Sequence, residues 1–139
     1  MEKITIETLV LLPVEKVWEA WTQPKHITQW NAASEDWCSP WSKNDLTVGG
    51  KFSSRMEARD GSAGFDFSGT YTRVEPYRIL AYTLDDDRTV EVVFNPQGDR
   101  THVVETFEAE TENSIELQRF GWQSILDNFK KHCESTNFE

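Results

Sequence analysis

The stretch Ser114-Ile115-Glu116-Leu117-Gln118-Arg119-Phe120-Gly121-Trp122-Gln123-Ser124-Ile125-Leu126-Asp127-Asn128-Phe129-Lys130-Lys131-His132-Cys133 decides the architecture. Leu117, Phe120, Gly121, Trp122, Ile125, Leu126, Phe129 and Cys133 recur at helical spacing as one wide apolar stripe, while Glu116, Gln123, Asp127, Lys130 and Lys131 take the other side. The pattern predicts a helix of about 20 residues, opened by Asn113 as cap with Glu116 at the capping-box position. A stripe that wide on a long terminal helix calls for a sheet to lie on.

The sheet is legible upstream. Between residues 46 and 107 the chain reads as strands separated by turn signals. Phe52, Ser54 and Met56 alternate with Lys51, Ser53 and Arg55 until Arg59-Asp60-Gly61-Ser62 turns the chain. Phe65, Phe67, Gly69 and Tyr71 follow, then Arg78 to Leu84, then Val90, Val92 and Phe94, then Val103, Glu105 and Phe107. Connections this short predict an antiparallel meander. Gly49-Gly50, placed in strand-like context, predicts a bulge that curls it.

At the other terminus, Ile4, Ile6, Thr8, Val10 and Leu12 alternate with more polar neighbours over residues 3–12, a half-buried first strand. Pro13 opens a short helix whose Val14, Val17, Trp18 and Trp21 share a face, and Pro24 turns the chain into a second one carrying Ile27 and Trp30. From Asn31 to Asn44 the chain reads as an irregular loop holding Trp37 and Trp41. Two large rings in a loop must tuck under a sheet or close over something. The elements make an α+β chain with about six antiparallel strands, and residues 1–139 are read as a single domain.

Composition narrows the function. The chain has 139 residues with 14 basic and 24 acidic side chains, a formal charge of −10, which disfavours nucleic acid and anionic membrane surfaces as partners. No apolar run suits a membrane span and Met1 to Thr5 alternates instead of opening a leader, so a soluble cytoplasmic protein without membrane insertion is expected. Cys38 and Cys133 lack disulfide or zinc spacing, and His26, His102 and His132 lack ligand spacing, so neither metal nor cofactor is expected. Asp85-Asp86-Asp87 reads as a solvated turn, and no phosphate-cradle, nucleophile-elbow or metalloprotease motif occurs. Eight Phe, six Trp and three Tyr in a chain only 37% apolar are the anomaly.

Several motifs resemble a known family. Pro13-Val14-Glu15-Lys16-Val17-Trp18-Glu19-Ala20-Trp21-Thr22, closing at Ile27-Thr28-Gln29-Trp30, looks like the opening of the START-like superfamily that includes the birch-pollen allergen and polyketide cyclases. Val48-Gly49-Gly50-Lys51-Phe52, Phe67-Ser68-Gly69-Thr70-Tyr71 leading through Val74 and Pro76 to Ile79, and Gly121-Trp122 with Leu126 resemble the family named after the C-terminal domain of the activator of the heat-shock protein 90 ATPase. The resemblance covers nearly the whole chain. It implies the helix-grip fold, a curved antiparallel sheet wrapped round the C-terminal helix with two short helices after the first strand, and a cavity between sheet and helix.

In that fold Phe52, Met56, Phe65, Phe67, Tyr71, Tyr82, Phe94 and Phe107 fall on strand faces able to line the cavity, with Trp30, Trp37, Trp41, Trp122 and Leu126 as rim, lid or helix contributions. The rings either fill the space as core or line a pocket for a small apolar molecule. Arg55, Tyr82, His102, Glu105 and Gln118 are the polar candidates, and Glu105 is the one weak candidate for general acid or base work. Its alternative is an outward, solvated glutamate. The leading reading is a carrier or sensor of a small hydrophobic ligand. A protein-interaction or chaperone-associated module is the alternative, and a cyclase or hydrolase ranks below both.

Overall fold

The computed structural model describes residues 2–138. Its elements are, in chain order, β1 (Lys3–Val10), α1 (Val14–Thr22), α2 (Pro24–Trp30), β2 (Trp37–Cys38), β3 (Ser42–Asn44), β4 (Lys51–Ala58), β5 (Gly64–Glu75), β6 (Ile79–Leu84), β7 (Thr89–Gln97), β8 (Arg100–Glu108) and α3 (Ile115–Ser135). All strand pairings are antiparallel, in the order β1-β8-β7-β6-β5-β4-β2, with β3 also on β4. The curved sheet holds the long helix against its concave face.

Six long strands are present as expected, and the stretch expected as loop adds two more. Trp37 and Cys38 pair with Ala58 and Glu57, and Ser42 to Asn44 pair with Ser54 to Phe52. Strands of two or three residues are too short to show an alternation, so only the free edge of β4 reveals them.

The expected bulge is displaced. Gly49, at φ +85°, occupies a turn ahead of β4, and a Cβ on Gly50 would sit 2.4 Å from the Asp45 carbonyl oxygen. The register shift lies instead on β5, between Tyr71 and Arg73. The two features are joined: Gly49 N–H donates to the Tyr71 carbonyl (2.8 Å) and Tyr71 N–H donates to that of Gly50 (2.9 Å). The extra residue, Thr72, returns Val74 to the inner face opposite Leu80.

Helix α3 begins one residue later than the spacing suggested. Ser114 is the cap, its hydroxyl accepting from Leu117 N–H (3.1 Å), while the Asn113 side chain turns away to donate from Nδ2 to Glu110 Oε2 (3.1 Å). Four side chains at helical spacing then bind the outer edge of β1. Arg119 donates to the Thr5 carbonyl (2.9 Å), Gln123 to Glu7 (3.2 Å) and Lys130 to Leu9, while Leu11 N–H donates to Glu134 (2.9 Å). The helix thereby covers an edge strand that would otherwise offer unpaired backbone groups to another chain.

The stripe on α3 is buried unevenly. Leu126, Phe129 and Cys133 are wholly enclosed, whereas Leu117 and Phe120, expected to be covered, are 57% and 72% exposed. Helix α3 meets β1, α1 and α2, and among the described residues nothing covers Leu117 and Phe120 on the outer side of its first turns.

Candidate functional site

Register places an acid in an apolar row. Ile6 of β1, Glu105 of β8, Val92 of β7, Leu80 of β6 and Val74 of β5 are consecutive partners across the sheet and share its inner face. Glu105 is 6% exposed, so the outward alternative does not hold. The adjoining row runs Ile4, Phe107, Val90, Tyr82, Tyr71. Trp122 of α3 lies flat on Phe107, with centroids 3.8 Å apart and planes 8° from parallel.

A cavity of about 250 Å³ remains between these rows and the first half of α3. Strands β4 and β5 wall it with Phe52, Ser54, Met56, Phe65, Phe67 and Tyr71, and Tyr82 and Glu105 form its sheet side. Trp122 and Ile125 cover it from the helix, while Trp21, Ile27, Trp30 and Asn31 close one end. Ser42, Lys43, Asn44 and Arg88 complete the lining. The glycine at position 69 shapes this wall: opposite Phe52 in register, it leaves room for the Phe52 ring, which a Cβ there would meet at 2.9 Å.

Five of the expected ligand-contacting side chains lie elsewhere. Phe94 packs edge-on against Trp18 and Trp21 at 5.3 and 5.9 Å, filling the end nearest α1. Leu126 is enclosed core and Phe107 is covered by Trp122. Trp37 tilts against Phe65 from outside (6.1 Å), and Trp41, 39% exposed, carries the Lys43 ammonium over its ring at 5.5 Å. Alternation identified the inner face without telling which part of it is covered by packing. Trp21, Ile27, Asn31, Ser42, Lys43, Asn44, Ser54, Arg88 and Ile125 were missed, mostly because they belong to short strands, turns or helix ends that meet only in the fold.

The remaining polar candidates have structural partners. Arg55 pairs on the outer face with Glu57 and Asp66, each at 3.1 Å, and His102 pairs with Glu7 at 3.0 Å. Gln118 accepts from Glu110 N–H (2.8 Å) and donates to the Asn113 carbonyl (2.9 Å), fastening the entry to α3. His26 and His132 meet at 2.8 Å and join α2 to α3, with Glu19 3.2 Å from His26. Among the described residues no group of three His, Cys, Asp or Glu side chains is placed to hold a metal.

Inside the cavity the hydrogen-bonding is asymmetric. The Tyr71 hydroxyl donates to Asn44 Oδ1 (2.7 Å), Asn44 Nδ2 donates to the Thr22 carbonyl (2.7 Å), and Ser42 shares a hydrogen bond with Ser54 (2.9 Å). Among the described residues neither the carboxyl of Glu105 nor the hydroxyl of Tyr82 makes a hydrogen bond, and both residues border the cavity; the one fully enclosed side-chain oxygen without a partner there is Ser39 Oγ, so the Glu105 and Tyr82 oxygens keep access through the cavity. Burial without a cation raises the Glu105 carboxyl to about 8, and burial also raises both tyrosines. At neutral pH Glu105 is a protonated acid able to donate, and it can accept once ionised.

The chain matches the model of the Activator of Hsp90 ATPase homolog 1-like family over residues 11–134. It belongs to that family. A solution structure of an AHSA1-like protein from Aeromonas hydrophila is 47% identical, with TM-score 0.89 and 99% of each chain covered. A protein of Cytophaga hutchinsonii is 44% identical, with TM-score 0.82 over 98% of this chain and 97% of that one. A crystal structure from Nitrosomonas europaea, 18% identical with TM-score 0.80 over 95% and 94% of the two chains, shares the fold. No curated protein matches significantly. Among the described residues no helix of this family member is long and apolar enough to cross a membrane.

Proposed function

We propose that this family member binds a small apolar molecule in the cavity under α3, as a carrier or sensor. The observation that carries the reading is the void itself. A concave, largely apolar space of about 250 Å³, partly open to solvent, stays unfilled among Phe52, Phe67, Tyr71, Tyr82 and Trp122. The size lies just under the roughly 300 to 1,000 Å³ of ordinary small-molecule pockets, so the occupant is small. Titration with naphthalene, followed by tryptophan emission and by the Trp122 indole N–H resonance, is expected to shift both saturably. An unmoved Trp122 resonance up to the solubility limit of naphthalene overturns the reading.

A second reading has its own observation. Leu117 and Phe120 stand out from the first turns of α3, and the family takes its name from a chaperone activator. Exposed apolar side chains on one helix face suit a protein partner. Co-sedimentation with purified heat-shock protein 90, lost in a Leu117→Ser, Phe120→Ser double variant, is the expected result. Equal recovery of both proteins, or of neither, removes this reading.

A further inference from the structure

The chemistry of the cavity's unused polar atoms says what kind of molecule suits it, an inference that rests on the cavity-binding reading above. Glu105 stands in a row whose other members are Ile6, Val92, Leu80 and Val74. Replacing it by an aliphatic residue would complete that row, so the acid is a local conflict with packing, of the sort that function retains. Its oxygens have no donor among the described residues, although eight salt bridges form among those residues, one of them by Arg88 at the cavity wall. The Tyr71 hydroxyl has spent its hydrogen on Asn44, so toward the cavity it can only accept. Ser42 and Ser54 satisfy each other.

The ionisable groups facing the cavity are Glu105 from β8, Tyr71 from β5, Tyr82 from β6, Arg88 from the turn just ahead of β7 and Lys43 from β3; α3 contributes only Trp122 and Ile125 among the described residues. Both cations are engaged. Arg88 is held by Asp86 at 2.8 Å, and Lys43 lies over the Trp41 ring. Neither contributes to the titration of Glu105, which burial alone displaces. What the inner wall lacks is a donor with a positive charge.

We propose that the cavity takes a small apolar molecule that carries one protonated nitrogen at its buried end, received by Glu105 and the Tyr71 and Tyr82 oxygens. The apolar body lies between Phe52, Phe67 and Trp122. Binding converts the protonated acid to a carboxylate, so a proton leaves as the ammonium enters: Glu–COOH plus R–NH3+ gives the Glu–COO−/R–NH3+ pair and one H+ in solution. Affinity then rises with pH up to about 8, where the acid is already ionised in the empty site.

Isothermal titration at about pH 7 with 2-phenylethylamine, 2-phenylethanol and 3-phenylpropionate, alike in shape and different in head group, tests this. The amine is expected to bind at least tenfold tighter than the alcohol, with the acid weakest. Two buffers of different ionisation enthalpy should report close to one proton released per amine bound. In Glu105→Gln the amine should lose both its advantage over the alcohol and the proton release. Similar affinities for all three probes, or an amine preference that persists in Glu105→Gln and so belongs to the net negative charge, overturn the head-group inference and leave cavity binding intact. Failure of all three to bind while naphthalene still does overturns it too. Failure of all four compounds overturns both readings.

Discussion

The two ends of the space under the sheet are built from the same kinds of side chain and come out differently. Nearest α1 and α2, Trp18, Trp21, Phe94 and Phe129 interlock edge to face, with Trp21 and Phe129 centroids 4.8 Å apart, and leave no room. Under the first half of α3, Phe52, Phe67, Tyr71, Tyr82 and Trp122 surround about 250 Å³. Helices α1 and α3 supply rings to the first end, whereas the second is covered by α3 and closed on one side by Trp21 of α1 and Ile27 and Trp30 of α2. Trp21 and Trp30 are the partition: both pack on Phe129 and both also face the void. Aromatic content therefore does not say whether a space is filled. How closely the rings interlock does, together with polar atoms such as those of Glu105 and Tyr82 that leave the open end without a sealed apolar surface.

The contrast can be broken by truncation. Phe94→Ala removes a ring that is 1% exposed at the filled end and should cost about 3–5 kcal/mol in urea denaturation. A loss under 1 kcal/mol would mean that this end is not packed as described. Glu105→Gln should act in the opposite direction. The folded acid titrates near 8 against an ordinary 4.5, so between those values the folded state holds a proton that the unfolded chain has released, and stability falls as pH rises through that window. The variant should flatten that fall and gain on the order of 3 kcal/mol at pH 7. Denaturation midpoints between about pH 5 and 8 decide it, and parallel profiles for the two proteins would show the carboxyl to be solvated.

Smaller effects sharpen the comparison. Phe52→Ala, at the open end, should cost only about 1–2 kcal/mol, because its ring already borders empty space and less packing is lost. Ser114→Ala should cost about 1 kcal/mol by removing the cap of α3, measurable by thermal unfolding followed by circular dichroism. An Asn113→Ala change that costs more than Ser114→Ala would place the cap one residue earlier.

Much of this was legible in the chain. The period-2 runs around Val90, Val92 and Phe94 and the 3.6-period stripe ending at Cys133 became β7 and α3, because alternation and helical spacing are local consequences of which face is buried. The family motifs pointed to the same fold. What stayed hidden depended on contacts between distant segments: β2 and β3 exist only because β4 offers them an edge, and the bulge moved to Thr72 because Tyr71 pairs with both the β6 strand and the Gly49-Gly50 turn. Among the candidate site residues, Phe52, Phe67, Tyr71 and Trp122 reach the void, while Phe94 and Phe107 on the inner face of the sheet and Leu126 on α3 are taken up by packing.

By itself the amino-acid order determined the order of the long elements, the inner face of the long strands and the surplus of rings directed toward one space, since each follows from short-range periodicity. Only the tertiary structure decided which rings fill that space and which surround an opening, and that Glu105 faces inward without a partner. Those outcomes depend on cross-strand register and on how far each helix reaches over the sheet, and both are set by residues far apart in the chain, as where Ile6 meets Glu105 and Lys130 meets Leu9.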